Sequence, residues 1–263
     1  MSKYLAIARA AFWHRLSERA ALIGRVVFYC LIVLVFSCLW RTIFAVSSRS
    51  AGAGQGASAA SYVWYLIVTE WIMLSQPAVH LEIESDVRSG EVAYQLARPM
   101  SYVGAKLAEG VGDLALRMLI LAPFGLLYGR LFSGQWVAAG ALALCALVGV
   151  VAALVLLVCH AGIGLCAFWL HDCTPVYLVW QKLLFVLGGL MVPLSIYPDW
   201  LRSLALHLPF ASMLYGPGQL ALHPSLSHAL RLTLELTGWF GAALLLVVCL
   251  ERAGRRALEL GGG

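Results

Sequence analysis

Charged side chains are concentrated in one short part of a chain that is otherwise mostly apolar. Of the 263 residues, 62% are hydrophobic and only 12% are charged, yet six of the thirteen acidic residues lie between Glu82 and Asp113. The segment 82–104, EIESDVRSGEVAYQLARPMSYVG, has on each side an apolar stretch long enough to cross a bilayer. A charge at the bilayer centre costs about 3 kcal/mol or more. We therefore expect this segment to lie outside the lipid, where its side chains can bind a partner.

A short helix is predicted inside this charged segment. Asp86, Ser89 and Gly90 are residue types that start helices, and Pro99 blocks the continuation of one. About two turns lie between them, with Leu96 on the apolar stripe. A short helix with polar edges at the membrane face is suited to docking a soluble partner.

Glu70 lies inside a predicted membrane span, where an ionised carboxylate is costly. It either lines a substrate path or has a structural role as a paired or protonated group, and Lys182 is a candidate partner. His80 is interpreted as a packing or interfacial residue. In an alternative reading, Glu70 and His80 carry protons in a proton-coupled secondary transporter. Such transporters normally show two similar halves, and the sequence has no convincing internal repeat.

Several other classes of site find little support in the sequence. The seven cysteines form no CxxC, and the neighbouring histidines are not at the spacing of a compact metal site, so no metal is predicted. An intramembrane enzyme is a further, less favoured alternative, because no HExxH and no recognisable Ser/His pair is present. The net charge of +5 comes from arginines in loops, so no nucleic-acid partner is expected.

Composition predicts an all-α polytopic membrane protein. The mean hydropathy is +0.86, and residues 137–158 lack the period-two alternation of a membrane barrel. We expect an interfacial helix over residues 1–20, followed by six transmembrane helices. The predicted spans are 22–44, 62–81, 114–132, 137–170, 174–192 and 230–250. The fourth is predicted as one long helix, which is about 50 Å and must tilt, project or break near Gly162 and Gly164.

Charge bias orients these spans with both termini on the cytoplasmic side. In that topology the inner segments carry eleven lysines and arginines and the outer segments five. The inner ones are Lys3, Arg9, Arg15, Arg19, Arg25, Arg88, Arg98, Lys106, Arg252, Arg255 and Arg256, and the outer ones are Arg41, Arg49, Arg130, Arg202 and Arg231. The third span begins with an expected ladder of ion pairs along one helix. Its members are Lys106, Glu109, Asp113 and Arg117.

The segment 193–225 contains five prolines and many leucines, so it is too broken for a span and too apolar for a free loop. We expect a re-entrant outer helical hairpin, in which Asp199 caps a helix to His207 and a second helix covers 210–215. It is expected to rest on the fifth and sixth spans, with Trp200 and Leu220 accessible from outside and Leu206 protected.

The order of these parts resembles the membrane subunit of ABC-2 type ABC transporters, with the type V exporter architecture. The stretch SGEVAYQLARPMSYVGAK is similar to the family's signature after the second span. The stretch PLSIYPDWLRSLALHLPFASMLYGP is similar to its proline-punctuated segment after the fifth. The resemblance covers almost the whole chain, residues 1–263, as one transmembrane domain, and is closest to a compact branch in which two dissimilar permeases accompany one ATPase.

This resemblance implies an ATP-driven exporter of the bacterial cytoplasmic (inner) membrane. The partners would be two copies of an ABC ATPase and a second permease, identical or related. ATP and Mg would bind to the ATPase, because this sequence contains no Walker A pattern, GxxxxGK(S/T), and no cofactor is expected on this chain. The implied ATPase-coupling residues are Glu84, Asp86, Arg88, Ser89, Gly90, Glu91, Leu96, Arg98 and Pro99. The implied outer gate consists of Pro193, Tyr197, Pro198, Trp200, Pro209 and Pro217.

Overall fold

The computed structural model describes residues 2–50, 59–96, 100–134, 136–190 and 192–261. Within these ranges the chain forms helices and contains no strand, which confirms the all-α prediction. The α-helices are α1 (Ser2–Ser17), α2 (Arg19–Ser50), α3 (Ala59–Leu74), α4 (Val79–Ser89), α5 (Glu91–Leu96), α6 (Tyr102–Ser133), α7 (Ala139–Leu165), α8 (Ala167–Leu170), α9 (Thr174–Leu187), α10 (Asp199–Leu206), α11 (Pro209–Met213), α12 (Tyr215–Leu222) and α13 (Leu226–Gly261). A 3₁₀ turn covers Leu194–Ile196.

Four described stretches of helix are long and apolar enough to cross a bilayer, judged by length and composition. They are Arg19–Ile43, Tyr102–Ser133, Ala139–Leu170 and Leu226–Arg256. These correspond to the first, third, fourth and sixth predicted spans. The helices at the second and fifth positions, α3 and α9, have 16 and 14 residues. At 1.5 Å per residue they reach about 24 and 21 Å, short of a hydrocarbon core of about 30 Å, so the count of six stays a prediction.

The second predicted span is wrong at its end, because no helix runs through to Leu81. The helix α3 ends at Leu74, and α4 begins only at Val79. Pro77 lies in the break, where it offers no N–H and does not fit inside a helix. The carbonyl of Gln76, freed by the break, accepts a hydrogen bond from Arg117 Nη1 at 2.7 Å. Residues 82–89 of the charged segment therefore make up most of the helix α4.

The long fourth helix is interrupted near its end. The helix α7 ends at Leu165, and Cys166 separates it from the four-residue helix α8. Gly162 and Gly164 lie inside α7 and do not break it. At Gly164 an added Cβ would come within 2.9 Å of the His80 Cα, so the missing side chain lets α4 approach α7 closely.

The helix α7 forms the centre of the largest buried cluster. Its residues Val148, Ala152 and Leu156 are fully buried, and α7 packs against α4, α12 and α13. A second cluster joins α2, α3 and α6 around Tyr29 and Leu121. The helix α1 packs along α6, while α2 and α13 leave most of their apolar surface exposed within this chain.

The segment 193–225 folds into the 3₁₀ turn and α10–α12. The helix α10 begins at Asp199, but the predicted cap is wrong, because Pro198 holds the N-cap position and no side chain caps this helix. Pro209 is the first residue of α11, and Pro217 lies in the first turn of α12. Proline fits there because the first N–H groups of a helix have no intrahelical partner. The predicted support is only partly right: α11 contacts α9 and α13, whereas α12 packs between α3 and α7.

Candidate functional site

The first candidate site is the α4–α5 elbow, which we define as residues 79–96. Gly90 ends α4 with a left-handed conformation, φ +75°, and its N–H bonds to the Val87 carbonyl at 3.2 Å. Such a conformation is costly for other residue types, so the glycine allows a sharp change of direction. The Ser89 hydroxyl accepts from the Glu91 N–H at 3.4 Å at the start of α5. Ser89 and Gly90 thus start the short helix as the sequence predicts, while Asp86 lies within α4.

Two acidic side chains of α4 attach the elbow to other helices. Glu82 accepts from Arg15 Nη2 of α1 at 2.6 Å, and the same arginine lies 3.4 Å from Asp113 of α6. Glu84 accepts from the backbone N–H of Cys173 at 3.2 Å, immediately before α9. The elbow therefore contacts both the N-terminal helix and the start of the fifth apolar helix.

A third acidic side chain, Asp86, attaches the elbow to α6. Its Oδ2 atom lies 2.9 Å from Lys106 Nζ and accepts from the Tyr102 hydroxyl at 2.8 Å. Gln95 of α5 approaches the same oxygen at 3.5 Å. Tyr102 is buried, and both charged side chains are 12% exposed, so little solvent weakens this contact. The predicted ion-pair ladder of α6 also forms, but its first member, Lys106, lies closer to Asp86 than to Glu109 at 3.7 Å.

The opposite face of the elbow is exposed within the described part of the chain. Arg88, Ser89 and Glu91 are exposed, and Tyr94 of α5 is 80% exposed. Arg88 still contacts Glu84 at 3.3 Å. The exposed face combines an aromatic ring with charges of both signs, which suits a protein partner.

The structure brings most predicted coupling residues together on the elbow. Leu96 is the last residue of α5, and Arg98 and Pro99 lie outside the described residues. The sequence reasoning missed Tyr94 as an exposed contact. Tyr94 stands between two small or polar neighbours on a predicted interface helix, which is the signal that could have revealed it.

The second candidate site is a cavity of about 310 Å³ between α2, α3, α6 and α9, next to the break after α3. Its polar lining residues are Arg25, Glu70, Gln76, His80, Arg117 and Gln181. Apolar walls come from Phe28, Ile32 and Phe185, among others. This places Glu70 and His80, which were predicted separately, in one cavity.

Glu70 is 1% exposed, and its Oε1 atom has no hydrogen-bond partner among the described residues. The predicted partner is wrong: in the described part of the chain no ion pair joins Glu70 to Lys182, which is exposed and lies 5.4 Å from the Phe185 ring. The ring of His80 stacks on Tyr177 at 3.9 Å, so its packing role is visible in the structure.

The third candidate site is the outer segment 193–225. Tyr197 donates to the Val186 carbonyl at 3.0 Å, and the Pro217 carbonyl faces the Cys145 thiol at 3.9 Å. Pro193 is buried, Pro209 is half-buried, and Pro198 is exposed.

One expected accessibility in this outer segment is wrong, since Leu220 is fully buried. The reason is that α12 packs on α3: Gly218 faces the ring of Tyr65, and the Tyr65 hydroxyl donates to the Gly189 carbonyl at 2.5 Å. Trp200 is 71% exposed as expected, and the protection of Leu206 by the outer leaflet stays a prediction.

These helices define a multi-pass membrane protein whose partly polar cavity and anchored elbow suit a transport subunit. Residues 39–259 match the family described as ABC-2 family transporter protein. The match covers most of the chain, so the protein belongs to the ABC-2 transporter permease family, as the sequence motifs predicted. It is accordingly a membrane transport subunit, of a family that generally partners with an ABC ATPase and is not itself a nucleotide-binding enzyme. No curated protein matches the chain.

Proposed function

We propose that this chain is the permease subunit of an ATP-driven exporter and that its α4–α5 elbow docks a separate ATPase. Two ATPase copies, which bind ATP and Mg, would lie beneath this permease and a second one, identical or related. Closure of the ATPase pair would move both elbows and switch the membrane helices between inward-facing and outward-facing states.

The observation that carries this proposal is the set of three anchors on the elbow. Glu82, Glu84 and Asp86 reach α1, the start of α9, and α6, respectively. A force applied to the exposed face would therefore be transmitted to three parts of the membrane domain at once. A merely solvated loop needs no such anchors.

Several contacts support the proposal that the elbow and both ends of the chain lie on the same side of the membrane. The helix α4 contacts α8, and Gly254, near the end of α13, lies against Phe168 of α8. The helix α1 reaches α4 through Arg15. The excess of positive charge near this end favours the cytoplasmic side of a bacterial inner membrane.

The proposed substrate path uses the cavity that contains Glu70. The cavity is open within this chain and borders α2, whose apolar surface is largely exposed. A second permease packed against this side would enclose the cavity between the two subunits. The outer segment 193–225 would then act as the gate at the opposite end.

The first experiment tests docking by comparing two exposed arginines at opposite ends. The tagged chain is purified with its ATPase from the native membrane and reconstituted in lipid nanodiscs. We expect Arg88→Ala to reduce the amount of bound ATPase and the rate of ATP hydrolysis. The matched variant Arg202→Ala, on α10, should leave both unchanged. Equal behaviour of the two variants would remove the elbow as the docking site.

The second experiment tests alternating access without a known substrate. A single cysteine at Tyr197, in a background lacking the native seven, is labelled with an impermeant thiol reagent. Its reactivity should differ between the nucleotide-free and ATP-trapped complexes. A difference that appears on imposing a proton gradient and is absent with ATP would favour the proton-coupled transporter, in which Glu70 and His80 of the same cavity carry protons.

A further inference from the structure

The cavity beside α3 contains one acidic and one basic side chain that are not paired with each other. Glu70 leaves Oε1 without a partner in the described chain. Arg25 donates through Nη1 to the Leu74 carbonyl at 2.7 Å, and no described carboxylate lies within ion-pair distance of it. Both side chains line the same space of about 310 Å³. Neither side chain therefore has an ionic partner among the described residues of the cavity.

The other arginine of this cavity is already neutralised. Arg117 bonds to both carboxylate oxygens of Asp113, at 2.5 and 2.6 Å, and to the Gln76 carbonyl. The bidentate geometry makes this a strong pair that a ligand would not readily displace. The charges left for a ligand are therefore those of Glu70 and Arg25.

A further acceptor lies in the same cavity. The Gln76 Nε2 atom donates to the carbonyls of Ile72 and Ala153 at 3.2 and 3.3 Å, which fixes the orientation of its amide. Its Oε1 atom is buried and has no donor among the residues that the structure describes. Two buried acceptors without donors, a carboxylate and an amide oxygen, favour a group that donates several hydrogen bonds, such as an ammonium.

Glu70 and Arg25 both lie beside the last turns of α3. Glu70 and Leu74 are one helical turn apart on α3, about 6 Å along the axis, and Arg25 is fixed at the Leu74 carbonyl. Phe28, Ile32 and other apolar residues line the rest of the space. A ligand that contacts both side chains would therefore carry an ammonium and an anion close together, next to an apolar body.

We propose that this cavity binds zwitterionic amphiphiles, with the ammonium at Glu70 and Gln76 and the anionic group at Arg25. This inference names the substrate class of the path proposed above and therefore rests on that function. The same chemistry occurs in the headgroup of an ethanolamine phospholipid and in a soluble apolar amino acid.

The test measures equilibrium binding to the nucleotide-free complex in nanodiscs of phosphatidylglycerol. The probe is radiolabelled lysophosphatidylethanolamine, and the competitors are its N-acetylated analogue, homophenylalanine, N-acetylhomophenylalanine and homophenylalanine methyl ester. We expect saturable binding and at least about tenfold weaker competition by every analogue that lacks one charge.

Competition by homophenylalanine would identify soluble zwitterions as ligands, and competition by the unlabelled lipid alone would identify the headgroup. Equal competition by N-acetylated and free forms would overturn the proposal.

The variants Glu70→Gln and Arg25→Gln provide a second, independent readout. Each should weaken zwitterion binding about tenfold or more, and Glu70→Gln should not weaken binding of the N-acetylated lipid. The matched control is Glu235→Gln, the same change in another membrane helix, where the glutamate accepts from Ser212 and lies outside the cavity. A loss of the same size in Glu235→Gln, or of both probes in Glu70→Gln, would indicate a structural effect and overturn the assignment.

Failure of this inference is distinguishable from failure of the proposed function. If the complex binds zwitterions selectively but ATP does not change labelling of Tyr197→Cys, the proposal of an ATP-driven exporter is refuted and the proposed binding site stands. If labelling of Tyr197→Cys depends on ATP but zwitterions do not bind, only the proposed substrate class is refuted.

Discussion

The anchor between Asp86 and α6 allows a direct test of how the elbow transmits movement. We consider Asp86→Asn, which keeps the size of the side chain and leaves an oxygen that can accept from Tyr102. The change removes the charge that pairs with Lys106 at 2.9 Å. Lys106 then keeps only Glu109, at 3.7 Å and 43% exposed, as an ion-pair partner among the described residues.

The free-energy cost of Asp86→Asn follows from the burial of the Asp86–Lys106 pair. Exposed ion pairs contribute about 0.2–1 kcal/mol, whereas removing one partner of a buried pair costs about 3–5 kcal/mol. Both side chains here are 12% exposed, and Lys106 retains its weaker partner, so we expect about 2 kcal/mol. The attached arrangement of the elbow would become about 30-fold less favoured relative to a detached one.

The assay measures ATP hydrolysis and, in parallel, the ATP-dependent change in reactivity of the Tyr197→Cys label. In Asp86→Asn we expect hydrolysis to continue while the change at Tyr197 becomes smaller, because ATPase movement is no longer transmitted to α6. The matched control is Asp199→Asn, which removes an exposed carboxylate at the start of α10.

A double-mutant cycle on Asp86 and Lys106 tests whether the unpaired charge causes the loss of coupling. Lys106→Gln alone should be as harmful as Asp86→Asn, whereas the double variant leaves neither member of this buried pair charged and should recover part of the label change. A double variant no better than either single variant, or an unchanged Tyr197 label in Asp86→Asn, would refute the reasoning.

Three further predictions concern the outer face of the elbow and the outer segment. Tyr94→Ala should lower the amount of ATPase that copurifies without lowering the melting temperature of the permease, because the ring is 80% exposed. With an impermeant thiol reagent, a cysteine at Trp200 should be labelled from outside and one at Leu220 should not, because Leu220 of α12 is fully buried. Gly218→Ala should destabilise the permease by about 1–3 kcal/mol, because the new methyl group would overlap the Tyr65 ring. Gly140→Ala, on a part of α7 with no described atom near the glycine, should be neutral in the same thermal assay.

Each of these predictions has a contrary result that would be informative. Unchanged copurification in Tyr94→Ala would mean that the ATPase binds elsewhere. Labelling of the Trp200 position from the cytoplasmic side would invert the topology and remove the outer gate. Equal melting temperatures for the two glycine variants would mean that α12 does not pack on α3 as described.

The sequence determined the class of protein and the main local breaks. Long apolar runs allow only a membrane-spanning helical fold in a chain with so few charges, and the confirmed family follows from motifs that are local in the sequence. The start of α5 after Ser89 and Gly90 was also predictable, because capping depends on a few adjacent residues. The end of the second helix was less predictable, because Pro77 alone does not show how many preceding residues stay helical.

Only the tertiary structure decided which charged groups meet. Arg15 and Glu82 are 67 positions apart in the chain, and Glu84 and Cys173 are 89 apart, so neither contact leaves a periodic signal. The same holds for the cavity, where Arg25 and Glu70 come from different helices. The packing of α12 on α3 and α7 reversed the expected exposure of Leu220, since which face of a short helix is buried depends on its neighbours. The local sequence determines which side chains lie on each face of a helix. The packing of helices that are distant in the sequence determines which of those side chains make contacts.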